Sequence, residues 1–234
     1  MEPIPEDWDR AMAVVAHPDD LEYGMASAVA RWTGQGRSVS YLIVTRGEAG
    51  IAAMPPDQVG PLREDEERRS AAIVGVHEVD FLSHPDGLVE YGLPLRRDLA
   101  AAIRRVRPDA VFAMNFDLTW GDSPNVNHSD HRAVGLAVLD ACRDAANPWV
   151  FGDAGAAWTG IKHLFLAASN EPTHFADVTA TIDAGVASLR EHKVYIEGLG
   201  RDFDPDEFLR NIAGYVGLGA GCEYAVAFRR YNSG

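Results

Sequence analysis

Residues 11–24 read Ala11-Met-Ala-Val-Val-Ala16 and then, without a break, His17-Pro-Asp-Asp-Leu-Glu-Tyr-Gly24. The first six residues are apolar with no alternation, as expected of a strand buried on both faces. The next eight place an imidazole and two adjacent carboxylates at the end of that strand, with Pro18 restricting the backbone between them.

Outward from this stretch the chain alternates. Val39–Thr45, Val79–Leu82, Ala110–Met114, Lys162–Ala168 and Tyr224–Phe228 have strand composition. Between them Glu22–Trp32, Leu62–Gly75, Leu93–Val106, His131–Ala145 and Ala180–Glu191 have helical spacing or stop signals. The pattern predicts an α/β, Rossmann-like fold with a mostly parallel sheet and helices on both faces. A less regular C-terminal α/β extension follows. One domain over residues 1–234 is expected, with a core over 11–170 and the extension over 171–234.

The composition excludes several functions. With 35 acidic and 21 basic residues the formal net charge is −14, a field that repels nucleic acid and anionic lipid surfaces. No apolar stretch approaches the roughly 20 residues that cross a bilayer. The first ten residues are acidic, unlike a signal peptide. Cys142 and Cys222 are isolated, so neither a disulfide framework nor a thiolate metal site is implied. The expectation is a cytoplasmic protein acting on a small molecule, without nucleic-acid or membrane partners and with homo-oligomerisation left open.

In such sheets ligands bind beyond the carboxyl ends of the strands. Two turns there carry chemistry. After the first strand come His17, Asp19 and Asp20; Asp19 or Asp20 alone would serve as a helix cap. After the Ala110–Met114 strand comes Asn127-His-Ser-Asp-His-Arg132, where His128 and His131 share a helix face and Asp130 can fix an imidazole tautomer. Only 8 histidines occur in the chain, yet three lie in these two turns. Two imidazoles and one carboxylate form a catalytic zinc pattern that leaves a position open for water. Carboxylates and an imidazole remain for proton transfer.

Ala16-His-Pro-Asp-Asp20 and His128-Ser-Asp-His131 resemble the two signature motifs of the LmbE-like (PIG-L) zinc-dependent de-N-acetylases, which remove acetyl groups from N-acetylglucosamine units of small glycoconjugates. Matches at Thr45-Arg-Gly-Glu48, Arg63 and Asp86-Gly87 support the resemblance, which covers roughly residues 11–140. It implies Zn2+ bound by His17, Asp20 and His131, Asp19 as general base, and His128 as acid or electrostatic partner oriented by Asp130. Many members carry Glu directly after the paired aspartates, whereas here Leu21 intervenes before Glu22. Glu48, Arg63 and Asp86 are expected to contact the sugar. His128 is expected to be an imidazolium, its pKa raised by Asp130. His84 lacks a partner in the sequence, and His77, His163, His174 and His192 are assigned structural or exposed roles. Acceptor recognition is expected from 49–61, 119–126 and 148–160.

Two rivals keep the metal: cleavage of a larger amide in a thiol or other conjugate, and a non-enzymatic metal-binding protein. A nucleotide-binding reading fails because no Gly-rich phosphate loop follows the first strand. Gly214–Gly221 lies late in the chain and follows no convincing strand.

Overall fold

The structure, a computed structural model, describes residues 1–121, 124–200 and 202–232. In chain order its elements are β1 (Glu2–Pro3), β2 (Arg10–Val15), α1 (Asp20–Gly24), α2 (Ala26–Gly34), β3 (Ser38–Ile43), α3 (Pro56–Ile73), β4 (Glu78–Phe81) and α4 (Leu93–Val106). There follow β5 (Ala110–Met114), α5 (Ser129–Ala146), β6 (His163–Ala167), β7 (His174–Asp177), α6 (Ile182–Leu189), α7 (Lys193–Gly198), α8 (Pro205–Ala220) and β8 (Ala225–Tyr231).

The strands form one sheet in the order β1-β7-β8-β6-β5-β2-β3-β4. Among the described strands only β8 runs against the others, pairing antiparallel with β6 and β7. The apolar run of β2 divides between the two faces by its period of two. Ala11, Ala13 and Val15 join Trp8, Trp32, Phe112, Phe165 and Phe228 in one cluster. Met12, Val14 and Ala16 pack beneath α4 and α5 with Leu99, Ile103, Val134 and Val138 in the other. Burial on both sides is why the run shows no polar alternation. Because β2 and β5 are neighbours, the turns after them fall on the same edge of the sheet.

The elements over Leu93–Val106 and Ala110–Met114 match their expected limits. Others differ for local reasons. The helix expected over Glu22–Trp32 breaks at Met25 (φ −156°, ψ 6°). Gly24 there abuts β5, and a Cβ on it would stand 2.7 Å from Met114 Sδ. α3 begins at Pro56 rather than Leu62, since Pro56 suits the first helical turn and Pro61 removes only one hydrogen bond near the start.

The C-terminal part is more regular than expected. β7 and β8 belong to the main sheet rather than to an appended unit. α8 forms across Gly214–Gly219 despite poor helix propensity. Asp204 caps its first turn, Pro205 occupies the first helical position, and Gly221 closes it in a left-handed conformation (φ 77°). A Cβ on Gly217 would meet Glu223 O at 2.6 Å, so glycine lets the chain fold back against the helix there. α6 and α8 share a third apolar cluster through Ile182, Val186, Leu189, Leu209 and Ala213. Among the described residues no helix is long and apolar enough to cross a membrane.

Candidate active site

The turn after β2 is held from several sides. Asp20 Oδ2 accepts from the backbone N–H groups of Ala16 (3.1 Å) and His17 (2.9 Å), which leaves Oδ1 directed outward. That oxygen stands 3.0 Å from His131 Nε2 on α5. His17 Nδ1 stands 3.2 Å from the same His131 nitrogen and 3.6 Å from Asp20 Oδ2. Three donor atoms from the two turns therefore converge at one point.

The other ring nitrogens fix the tautomers. Asn127 Nδ2 donates to the carbonyls of Asn115 (2.9 Å) and Asp117 (3.0 Å), so its Oδ1 faces His131 Nδ1 at 2.9 Å. His131 Nδ1 must then carry the proton, and Nε2 presents a lone pair. His17 Nε2 donates to Asp86 Oδ1 (3.0 Å) and Asp130 Oδ2 (3.2 Å), leaving Nδ1 for the convergence point. Carboxylates or amides behind imidazole ligands are the usual second layer of a metal centre. Burial alone would lower the His17 pKa, but Asp130, Asp20 and Asp86 outweigh it and hold the ring well above the ordinary histidine range. Burial would raise Asp20, whereas His131 and His17 hold it well below the carboxylate range.

This donor set fits a divalent transition metal. Two imidazole nitrogens and a carboxylate oxygen directed at a common point form a set that a cation between them could hold together. Zinc bonds of about 2.0–2.1 Å in a tetrahedron put donors about 3.3 Å apart, close to the separations found.

Asp19, between the ligand candidates, adopts a left-handed backbone (φ 98°, ψ −23°). Its N–H donates to Glu67 Oε2 (3.1 Å) and its Oδ1 pairs with Arg63 Nη2 at 3.1 Å. Burial pushes its carboxyl up to about 6 against the pull of Arg63. His128 caps α5, with Nδ1 accepting from the Asp130 N–H at 3.2 Å. Its Nε2 therefore bears the hydrogen, on a ring 4.9 Å from that of His17.

Several expected roles change. The Asp130 carboxylate does not orient His128. It accepts from the N–H groups of Gly87 (2.7 Å) and Val89 (3.2 Å) and turns to His17. The His128 pKa is lowered rather than raised, because burial and the neighbouring His17 outweigh Asp130. Glu48 lies outside the residues lining the cavity; its oxygens accept from Asp86 N (2.9 Å) and Arg46 N (3.2 Å), tying two loops together. Arg63 lines the cavity wall, but its guanidinium is committed to Asp19, Gly47 O and Pro18 O, and it lies 4.1 Å from the Tyr195 ring centre. Asp86 bonds Ala49 N (2.8 Å) as well as His17. His84 does have a partner, Asp98, at 3.0 Å.

Of the three expected recognition loops, 49–61 supplies Ala49 and Gly50 and 119–126 supplies Trp120 and Gly121. Residues 122 and 123 lie outside the described residues. The 148–160 segment supplies no lining residue; it wraps Arg104 with its carbonyls at the other edge of the sheet.

A buried cluster beneath Asp19 was not apparent from the sequence. Glu22, Glu67 and His192 have no exposed side-chain surface, and His192 Nε2 stands 3.5 Å from Glu22 Oε2 and 3.7 Å from Glu67 Oε2. Ser70 Oγ donates to Glu22 at 2.5 Å. Burial first, then Glu22, holds the Glu67 carboxyl well above its usual range. Glu67 follows Arg63 by four residues and so shares its helix face; His192 has no comparable signal.

The family described as GlcNAc-PI de-N-acetylase, PIG-L, matches residues 12–142, more than half of the chain and inclusive of both histidine–aspartate turns. The chain belongs to the PIG-L family. Diacetylchitobiose deacetylase of Thermococcus kodakarensis is 28% identical over 95% of this chain and 83% of its own length. The 1D-myo-inositol 2-acetamido-2-deoxy-alpha-D-glucopyranoside deacetylase of Geodermatophilus obscurus is 28% identical over 65% of this chain and 59% of its own. The solved N,N′-diacetylchitobiose deacetylase of Pyrococcus horikoshii superposes with a TM-score of 0.87 at 24% identity, covering 97% of this chain and 85% of that one. The PIG-L match stops before α6, so His192, Tyr195 and all of α8 lie beyond it.

Proposed function

We propose that this protein is a metal-dependent hydrolase that removes the acetyl group from an N-acetylglucosamine-type unit of a small glycoconjugate. The observation that carries the reading is the convergence of His17 Nδ1, Asp20 Oδ1 and His131 Nε2 beside the buried Asp19. PIG-L membership and the deacetylase relatives support it.

His17, Asp20 and His131 would hold the metal; this mixed N/O set without thiolates suits zinc, which the resemblance to the de-N-acetylases implies, and also iron(II) or cobalt(II). When bound, zinc supplies Lewis-acid charge and lowers the pKa of water at the site towards about 7. Asp19 pairs with Arg63 through Oδ1 and accepts from the Tyr195 hydroxyl, so its carboxylate is fixed in place to take the proton of the attacking water. Its raised pKa suits a base that must give that proton up again. His128 presents Nε2–H to the carbonyl oxygen as negative charge develops on it. Water oxygen bonds to the acetyl carbon, the carbon–nitrogen bond breaks, and the proton held by Asp19 passes to the leaving nitrogen. Acetate and a free amine result, with the second water proton released to solvent.

The test is acetate release from N-acetylglucosaminyl conjugates, measured by mass spectrometry with and without a chelator. Chelator-sensitive release restored by zinc is the expected result. Metal-free protein that turns over undiminished, or cleavage elsewhere than at the acetyl amide, would overturn the reading.

A further inference from the structure

The convergence point opens into a cavity of about 1150 Å3, larger than the roughly 300–1,000 Å3 that surrounds a drug-sized ligand. One sugar unit does not fill it. At the end near the metal candidates the walls are polar, with His17, Asp19, Arg63, Asp86, His128 and Asn170. The other end is built by α2, α6, α8 and β8, and differs in kind. None of the lining residues from those four elements is charged, and their only side-chain polar groups are the hydroxyls of Ser27 and Tyr215. Ile182, Leu209, Ala213, Val216, Ala225 and Val226 are among the apolar residues on that surface.

We infer that this apolar arm receives an apolar chain or ring attached directly to the sugar unit of the substrate. The inference rests on the deacetylase reading above and narrows its substrate class. A polyol aglycone, such as inositol or a second sugar, would bring several hydroxyls against walls whose side chains offer the hydroxyls of Ser27, Tyr215 and, at the entrance, Tyr23, and unpaired buried hydroxyls oppose binding. An alkyl or aryl group would instead exchange water for apolar wall. The arm also begins close to the chemistry. Tyr23, Gly24 and Met25 line it within one helical turn of Asp20, about 5–8 Å at 1.5 Å per residue. So short a separation favours an apolar group joined directly to the sugar over one reached through a charged spacer. At the far end α8 exposes Ile212 (48%) and Tyr215 (81%) beside the cavity, so a longer chain meets an apolar mouth.

The apolar group can enter as the aglycone or as a longer acyl group on the nitrogen, and substrates separate the two. Methyl and octyl glycosides of N-acetylglucosamine would be compared with the methyl glycoside carrying N-octanoyl in place of N-acetyl. For turnover, at least about a 30-fold gain in kcat/KM is expected for one octyl compound over methyl N-acetylglucosaminide, since each buried methylene is worth up to about fourfold. Ile212→Asp and Val216→Asp, both on α8 and neither fully buried, should collapse that ratio towards one. Calorimetric binding of the same compounds provides a readout independent of hydrolysis. An octyl compound that binds at least tenfold tighter than the methyl one without being hydrolysed would sustain the apolar arm and sink the deacetylase reading. Hydrolysis and binding indifferent to chain length, or ratios untouched by both variants, would overturn the arm while leaving that reading in place.

Discussion

The backbone N–H of Asp19 is bonded to the side chain of Glu67, 48 residues further along the chain, at 3.1 Å in a fully buried setting. Asp19 holds φ at 98°, a conformation that costs a non-glycine residue of the order of 1–3 kcal/mol and persists only where its surroundings impose it. Glu67 is part of what imposes it. Glu67→Gln keeps an acceptor in place and should leave kcat within about threefold. Glu67→Leu leaves the N–H unpaired at a cost of about 1–3 kcal/mol. It should lower kcat by roughly ten- to hundredfold with metal content and KM little changed. Equal kcat in the two variants would show that Asp19 is held by other means.

Asp19→Asn preserves volume and the left-handed tendency of the residue while abolishing the base. Turnover should fall about 10²–10⁴-fold, the usual contribution of a positioned general base, and bound metal should remain stoichiometric. Loss of metal together with activity would instead assign Asp19 to the ligand set.

His128→Ala removes an Nε2–H donor and should cost about 10²–10³-fold in kcat, like the loss of one oxyanion donor. Because the ring acts as a neutral donor with Nδ1 tied to the Asp130 N–H, His128→Asn should recover part of the loss. Recovery absent in Asn but present with added imidazole would point to proton transfer rather than hydrogen bonding.

Asn127 sets the His131 tautomer without touching the convergence point. Asn127→Leu should weaken metal affinity about 10–100-fold, as outer-layer substitutions do, measured by competition with a chromophoric chelator. Unaltered affinity would mean that His131 selects its tautomer unaided.

His192 predicts a stability profile. Burial alone would lower its pKa, but Glu22 from α1, Glu67 from α3 and Asp19 raise it from 6.5 to about 9. A raised folded-state pKa means that folding favours the protonated ring. The stabilisation, at most about 3 kcal/mol, is complete below pH 6.5 and is lost as pH rises through 9. The melting temperature should therefore decline between pH 7 and 10, and His192→Gln should flatten that decline. A wild-type melting temperature constant over the interval would refute the ion pairing of His192.

Much of the convergence at the sheet edge was legible because its residues are neighbours in sequence. His17 and Asp20 share one turn, His128 and His131 another, and continuous apolar strands announced that both turns meet on one edge. Helix α4, with its strong amphipathic spacing, was legible to the residue. What escaped depends on distant parts of the chain. His192 looks like an ordinary helix-end histidine until the fold buries it against Glu22 and Glu67. The direction of the Asp130 carboxylate depends on Gly87 and Val89, 43 and 41 residues away in sequence. α8 was obscured by its glycines, whose unfavourable propensity is overcome by packing against β8.

The place of β8 in the sheet constrains how the molecule assembles. This strand inserts between β6 and β7, and β1, at residues 2–3, pairs only with β7. Until residues 225–231 emerge, β6 has an open edge, and neither β7 nor β1 has a route into the sheet. During synthesis the Asp19–His131 region can form early, whereas the wall of the apolar arm arrives last. A ribosome-bound intermediate should thus expose an unpaired β6 edge, the kind of surface on which nascent chains associate wrongly. Its lifetime is set by the slow, non-local closure of an antiparallel strand from the far end of the sequence.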